Sequence, residues 1–470
     1  MAYLQAKMRS RVFVKVPELW KELLPEDLHH WCGRAVRLDK ALYGYTFSGK
    51  FLYEDQSEFF ENECGLRTTP FPGLWTKLVG DDKMLQLLQY SDDMIAASNC
   101  LESLADFAAK IQARFNVEVK PIADWFLQAR IRVDADGNVL LDQQRYSKAI
   151  VRRYLPSYPA ECTEQDSHRY RSPLPHTMKW TKDDNSKNMI EVSTLQHEFG
   201  FNYREVVGSL IYLGNTAIEE LFGIQKTCRH MNLPGRRHFQ AVSHLLHHLR
   251  CHPTNALIFY KNAEDSPVVK MLRERIGIPR HIDLSFIYFT DSSFMDCDEG
   301  RSTASYIGFF QGGAIDHNSF VPLPVANSTA EAETNALAAG TMAAAYTRRG
   351  IADILYNNED KPWTVPIFSD SEAAIAMNSS EKVTKKSRHI ERRWFYAKQE
   401  YMRSRVIFFH VRDQFSLADL GTKNLTAEEA KYKLSHIEVP VNDFAILRPT
   451  IPDEPRGHKS KKGVDKNSTV

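Results

Sequence analysis

The chain has no run approaching ~20 consecutive apolar residues, so no membrane-spanning helix and no membrane partner are expected. It has no Cys-x-x-Cys pair. Its seven cysteines, Cys32, Cys64, Cys100, Cys162, Cys228, Cys251 and Cys297, are widely scattered. That pattern argues against a disulfide framework and for reduced thiols in an intracellular protein. Large net charge is lacking as well: 60 basic against 59 acidic side chains leave +1. A nucleic-acid partner would have to be met by basic residues concentrated locally. There is no apolar segment of secretory type at the N-terminus and no internal repeat. By exclusion, a nuclear or cytoplasmic location is expected.

What is present is enough apolar and aromatic side chain (43% and 11%) for packed cores, over 470 residues that suggest two to three domains. Residues 84–90 and 94–97 read as a strand–turn–strand hairpin with Ser91, Asp92 and Asp93 at its tip. Leu101, Leu104, Phe107, Ala108, Ile111 and Phe115 fall near helical spacing. Residues 129–133 and 139–141 form a second hairpin pattern, its turn carried by Asp and Gly. Residues 160–198 are polar and Pro-containing and read as a long connection. Residues 203–250 read as helical, and 262–282 as a second linker. From 284 onward the order is three strands (284–290, 303–310, 315–321), a helix (329–348), a strand (364–369), two helices, a strand (404–411) and a helix. Ser328 or Thr329 can cap the long helix, with acids in its first turn.

Four acids in this second half stand where such a pattern converges. Asp291 follows the first strand run, and Glu333 lies in the first turns of the long helix. Asp370 ends the fourth strand run, and Asp419 sits in a Leu-Ala-Asp-Leu segment after the fifth. Glu331 competes for the glutamate role. Glu333 is preferred because it leads into the apolar face Ala336, Leu337 and Gly340. Converging carboxylates repel one another, and divalent metal relieves the repulsion. Magnesium takes oxygen ligands and keeps waters and substrate phosphates in its shell. Two ions about 4 Å apart stabilise an in-line displacement at a phosphodiester. Metal-dependent cleavage of a nucleic-acid backbone is therefore the first expectation.

Other features are more local. Lys382, Lys385, Lys386, Arg388, Arg392 and Arg393 form a basic cluster, with His389 among them, suited to the phosphates of a duplex. The alternative is a solvated helix face. His410, at the end of a strand, is an auxiliary candidate for proton transfer or product release. His244, His247, His248 and His252 invite a zinc reading, which fails for want of a Cys pair to complete the ligands. Residues 452–470 are Pro-, Gly- and Lys-rich and are expected to be disordered.

Several of these segments occur in one order in one family. Asp39-Lys40-Ala41-Leu42-Tyr43-Gly44 is similar to a Lys-Lys-Ala-Leu-Tyr-Gly segment, and Tyr90-Ser91-Asp92-Asp93 to the Tyr-Val-Asp-Asp hairpin of a polymerase palm. Gln143-Gln144-Arg145-Tyr146 and the run Tyr203 to Leu213 also have counterparts. Then come Phe289-Thr290-Asp291, Ser328-Thr329-Ala330-Glu331-Ala332-Glu333, Phe368-Ser369-Asp370, Arg388-His389-Ile390-Glu391 and Leu417-Ala418-Asp419-Leu420-Gly421-Thr422-Lys423. Over nearly its whole length the chain resembles the Pol polyprotein of copia-type LTR retrotransposons, from the C-terminal part of the reverse transcriptase through the ribonuclease H domain.

The resemblance implies an α/β fold: an α+β palm remnant plus a ribonuclease H-like mixed five-stranded sheet with flanking helices. It implies a truncated palm and thumb region over 1–160, a partly helical connection over 161–283, a ribonuclease H-like domain over 284–440 and a basic tail over 441–470. The implied catalytic acids are Asp291, Glu333, Asp370 and Asp419, holding two Mg²⁺ or Mn²⁺ ions. Asp291 and Asp370 bridge both ions, and Glu333 and Asp419 complete one shell each. Asp92 and Asp93 are the metal ligands of the polymerase remnant. The implied partners are RNA–DNA hybrid, RNA, DNA and a second Pol subunit. The upstream palm aspartate has no counterpart, and Tyr45-Thr46-Phe47-Ser48 replaces the family's fingers segment. Hydrolysis of RNA in a hybrid is therefore expected, without autonomous DNA synthesis. An inactive remnant and a host-recruited binding module are the alternatives. Thr334 and Gly421 replace the family's usual Tyr and Leu, a departure expected to loosen packing round the site.

Overall fold

The computed structural model describes residues 5–441 except 81, 116, 122, 176, 177, 179 and 381–391. Near the start, β1 (Phe13–Lys15) pairs antiparallel with β2 (Ala35–Arg37). Helix α1 (Ser48–Asn62) buries Phe51, Leu52, Phe59 and Phe60. Strands β3 (Arg67–Thr68), β4 (Leu74–Gly80), β5 (Lys83–Tyr90) and β6 (Asp93–Ser98) form an antiparallel sheet in chain order. Alternation along β5 turns Leu85 and Leu87 inward, against Phe60, Trp75 and the Phe107 and Ile111 of α2 (Leu101–Arg114). Ser91 takes a left-handed conformation (φ 57°) in the β5–β6 turn, leaving Asp92 and Asp93 exposed at the tip.

A second sheet begins with β7 (Trp125–Phe126), β8 (Ala129–Val133) and β9 (Val139–Asp142). A helical layer follows: α3 (Gln144–Tyr154), α4 (Glu164–Arg169), α5 (Met189–Phe199), α6 (Tyr203–Leu213), α7 (Leu221–Cys228) and α8 (Arg236–Cys251). Tyr203, Val207, Leu210, Phe239, Val242 and Leu245 form its core. Helix α5 lies inside the stretch whose sequence reads as a connection. Asn188 caps it by accepting from the N–H groups of Ile190 and Glu191, and Gly200 ends it in the left-handed region. It buries only Val192 and Leu195, too little to leave a clear periodic pattern.

Cys162 and Cys251 are joined in a disulfide 89 residues apart in sequence, a departure from the expected free thiols. The pairing depends on how the 162 region packs against the end of α8, which spacing alone does not disclose. The α8 histidines are spent on backbone carbonyls: His244 on Ser172, His248 on Tyr170 and His252 on Ser167, while His247 stacks on Tyr170.

After β10 (Ala256–Phe259) and the short α9 (Pro267–Met271), the third sheet is assembled from β11 (Phe286–Ser293), β12 (Thr303–Phe310) and β13 (Gly313–Phe320), then α10 (Thr329–Tyr356) and β14 (Val365–Ser369). It is completed by α11 (Glu372–Ser379), α12 (Arg392–Met402) and β15 (Val406–His410), with α13 (Ala427–Leu434) and β16 (Glu438–Val439) after it. The strand order is β13-β12-β11-β14-β15. β11 is antiparallel to β12 and parallel to β14, and β14 is parallel to β15. This is the expected mixed five-stranded sheet. β11 is buried from Phe286 to Ser292 because both faces are covered, which is why its sequence is an unbroken apolar run rather than an alternating one. Tyr288, Leu337 and Ile367 pack on one side, and Ile287, Phe289, Val268 and Leu417 on the other. The second sheet, in order β16-β10-β9-β8-β7, takes strands from all three sequence segments.

The first unit rests on α10. Arg67 donates from both terminal nitrogens to Asp353 (2.9 and 2.7 Å), and Tyr346 donates to the Pro70 carbonyl. Phe71 lies so close to α10 that a Cβ at Gly350 would fall 2.1 Å from its ring.

Where the helical layer, β10 and β16 meet, charges are buried together. His248 Nε2 lies 3.3 Å from Glu220 and 3.6 Å from Glu219. Burial opposes the imidazolium, but these two carboxylates outweigh it and raise His248 to about 9. Burial, reinforced by Glu219, raises Glu438 to about 8. Both groups hold protons in the folded state that the unfolded chain has released, so both contributions fall as pH rises: Glu438 between about 4.5 and 8, His248 between about 6.5 and 9. Thermal unfolding from pH 5 to 9 should show stability falling by up to about 1.4 kcal/mol per pH unit for each group. Glu438→Gln should reduce that slope and raise stability at pH 8; an unchanged slope contradicts the assignment.

Candidate active site

Asp291 is placed by β11, inside the strand rather than at its end, in register with Ser305 of β12. Asp370 immediately follows β14, the parallel neighbour of β11, so the two carboxylates meet at one sheet edge. Glu333 comes from the first turns of α10. Ser328 caps that helix through the Glu331 N–H, while Glu331 turns back to accept from the N–H and side-chain amide of Asn327. Of the two glutamates weighed for the site, Glu331 is thus committed to the helix start and Glu333 points inward. Ligand oxygens of Asp291, Glu333 and Asp370 all lie within 4.8 Å of one another.

Asp291 and Glu333 are buried and Asp370 half-buried. Burial raises all three above the ordinary carboxylate range. Mutual repulsion adds to the rise, while Lys423 opposes it. Thr422 donates to Asp291 Oδ2, but Asp291 Oδ1 and Glu333 Oε2 are buried without a hydrogen-bond partner. Orphaned buried carboxylate oxygens facing one another have the chemistry of a hard divalent-cation site. Asp291, Glu333 and Asp370 therefore fit Mg²⁺ or Mn²⁺.

Asp419 sits beside this trio in a different state. It is buried in a tight turn over Leu417–Gly421, and both of its oxygens are taken by ammonium groups. Lys423 Nζ is 2.9 Å from Oδ1 and Lys433 Nζ is 2.8 Å from Oδ2. The same Lys433 nitrogen donates to the carbonyls of Asp413, Gln414 and Ser416. Nothing in the sequence pattern singles out Lys433, fourteen residues on in α13. Thr334 and Gly421 do not loosen the packing. Thr334 is buried and donates to the Ala330 carbonyl, and a Cβ at Gly421 would fall 2.2 Å from Ser305 Oγ. Glycine is what lets the Asp419 turn approach β12.

The remaining candidates fall elsewhere. His410 is exposed at the end of β15 and bonds the backbone carbonyl of Asp370, not its carboxylate. Asp92 and Asp93 join no third potential metal ligand among the described residues. Lys382, Lys385, Lys386, Arg388 and His389 lie outside the described residues, as do the side chains of Arg392 and Arg393 and the tail 442–470. A basic cleft absent from the sequence reading lies near the Asp92–Asp93 hairpin. Trp125, Arg130, Arg145, Lys148 and Arg152 line it, with the Arg145 guanidinium 5.5 Å above the Trp125 ring. The spacing 145, 148, 152 puts three cations on one face of α3 and was the available signal.

A mixed sheet of this strand order, followed by a long helix and bearing acids at its central strand ends, defines the ribonuclease H-like class of fold. Residues 1–158 match the family described as reverse transcriptase (RNA-dependent DNA polymerase). The chain is 21% identical over 431 residues to the retrovirus-related Pol polyprotein from transposon TNT 1-94 of Nicotiana tabacum, covering 90% of the chain and 29% of that polyprotein. It is 21% identical over 453 residues to the Pol polyprotein from transposon RE2 of Arabidopsis thaliana, covering 95% and 28%. Against the truncated transposon Ty1-A Gag-Pol polyprotein of Saccharomyces cerevisiae it is 19% identical, covering 92% and 33%. The chain is thus related to copia-type retrotransposon Pol polyproteins over most of its length, and it spans about a third or less of each. Among solved structures, LC11-RNase H1 in complex with RNA/DNA hybrid is similar at 15% identity and TM-score 0.22, covering 29% of this chain and 93% of that one. Prototype foamy virus protease-reverse transcriptase is similar at 11% identity and TM-score 0.22, covering 92% and 68%. Among the described residues, no helix is long and apolar enough to cross a membrane.

Proposed function

We propose that this retroelement-related chain is a ribonuclease H, hydrolysing the RNA strand of an RNA–DNA hybrid with Asp291, Glu333, Asp370 and Asp419 as its acidic site. The observation that carries the reading is the meeting of three carboxylates within 4.8 Å, two of them with buried oxygens that nothing in the protein satisfies. Asp291, Glu333 and Asp370 would hold divalent metal, which when bound supplies charge neutralisation at the scissile phosphate and acidifies water. Asp291 and Glu333, fixed on a central strand and a capped helix, need no rearrangement to bind a cation. Asp370, half-buried, is the carboxylate with open access to an incoming backbone. Asp419 acts at the rim, its orientation set by two lysines. In the reaction a water oxygen bonds to phosphorus as the bond to the 3′-oxygen breaks. One product ends in a 5′-phosphate and the other in a 3′-hydroxyl.

Hybrid recognition would rest on minor-groove shape and 2′-hydroxyl contacts. The cleft of Trp125, Arg145, Lys148 and Arg152 is a second place where a backbone can be held, in a salt-dependent way. The metal requirement has a direct test. Mg²⁺ or Mn²⁺ at about 100 times its Kd should stabilise the folded chain by about 2.7 kcal/mol. The rise in Tm should be strongly reduced in Asp370→Asn. Equal shifts in both proteins would contradict the site.

A further inference from the structure

Lys423 occupies a place in the acidic cluster that deserves an assignment of its own. Its Nζ lies 2.9 Å from Asp419 Oδ1, 2.9 Å from Asp413 Oδ1 and 3.6 Å from Asp291 Oδ1. It therefore stands between Asp291 and Asp419, the two acids that a second metal ion would have to bridge. Asp419 has its other oxygen on Lys433, so each of its oxygens already faces a full positive charge. The other side of Asp291 is unlike this. There Glu333 and Asp370 approach it with no cation among them, and the oxygens without partners, Asp291 Oδ1 and Glu333 Oε2, belong to that trio.

Magnesium demands oxygens at about 2.0–2.1 Å in near-ideal octahedral geometry. An ammonium within hydrogen-bond distance of the same carboxylates and a metal bridging them exclude each other, both by contact and by charge. Lys423 is two-thirds buried and held by three carboxylates, so a second divalent ion would have to break all three contacts.

We propose that Lys423 is a built-in cation of the nuclease site, standing where a second metal ion would bind, so that the site takes up one divalent ion, at Asp291, Glu333 and Asp370. The inference rests on the ribonuclease H reading of those acids. It makes Lys423 a determinant of metal stoichiometry. It also predicts how the site changes when the ammonium is removed: Asp291 and Asp419 become free to bridge a second ion.

The test uses the full chain and Mn²⁺ alone, without nucleic acid. Two Mn²⁺ ions about 4 Å apart, the spacing of two-metal sites, are magnetically coupled, whereas a single bound ion is not. Electron paramagnetic resonance of the wild type at saturating Mn²⁺ should show one uncoupled ion that is lost in Asp370→Asn. Lys423→Met should show a coupled pair, and Lys423→Arg, which keeps the charge, an uncoupled ion. A coupled pair in the wild type overturns the inference and leaves the nuclease reading standing, even if Lys423→Met does not fold. A folded Lys423→Met that still binds one uncoupled ion also overturns it. No Mn²⁺ bound by the wild type beyond the level of Asp370→Asn overturns the nuclease reading and the inference together.

Discussion

Lys433→Met should destabilise the chain by about 3–5 kcal/mol, the scale of breaking a buried ion pair by removing one partner. The Lys433 side chain is 4% exposed and that of Asp419 2%. The ammonium holds one Asp419 oxygen and three backbone carbonyls, of Asp413, Gln414 and Ser416. Methionine fills much of the same volume and supplies no donor, so three carbonyls and a carboxylate lose a partner at once. The cost should fall when the carboxylate is removed too. In a thermal-unfolding cycle, Lys433→Met/Asp419→Leu should be less destabilised than the sum of its single variants, because no unpaired buried charge is left behind. A loss below about 1 kcal/mol for Lys433→Met would mean that the pair does not hold the Asp419 turn.

The second large effect is on catalysis. Asp370→Asn keeps the shape of the side chain and removes the charge of the most accessible carboxylate in the trio. It should lower kcat for hybrid cleavage by at least about 10²-fold, the scale of losing one preorganised electrostatic contact at the reacting centre. KM for the hybrid should change little, because the duplex is held chiefly through its phosphates by basic side chains. Folding should be preserved: Asp370 lies past the end of β14 and contributes no apolar surface to the core. If KM rises instead while kcat holds, Asp370 acts in binding rather than at the reacting phosphate.

The acids of the trio were legible in the sequence because each stands at a boundary that periodicity marks. Asp291 closes an unbroken apolar run, Asp370 closes another, and Glu333 follows a Ser that caps a helix. The mixed sheet was legible for the same reason, since five apolar runs and a long Ala-rich helix occur in the order that builds it. What escaped was set by contacts distant in sequence. Gly350 follows two arginines and reads as the end of a helix, yet α10 continues to Tyr356; glycine is needed there because Phe71 lies against it. Strands β10 and β16 are four and two residues long, too short for any period, and are defined by pairing with each other and, for β10, with β9. The Cys162–Cys251 disulfide and the Asp419–Lys433 pair likewise arise from packing of separate elements. Gly421 looked like a loss of packing and is a close approach instead, because its value lies in the side chain it does not have.

The most direct test of the account is cleavage of a labelled RNA strand in an RNA–DNA hybrid by the full chain, with Mg²⁺ and then Mn²⁺, beside Asp370→Asn. The account predicts RNA products ending in 3′-hydroxyls with the wild type, none without divalent metal, and a loss of at least about 10²-fold in the variant. A folded wild-type chain that leaves the hybrid intact with both metals would contradict it and leave the acidic cluster a relic of the polyproteins to which the chain is related.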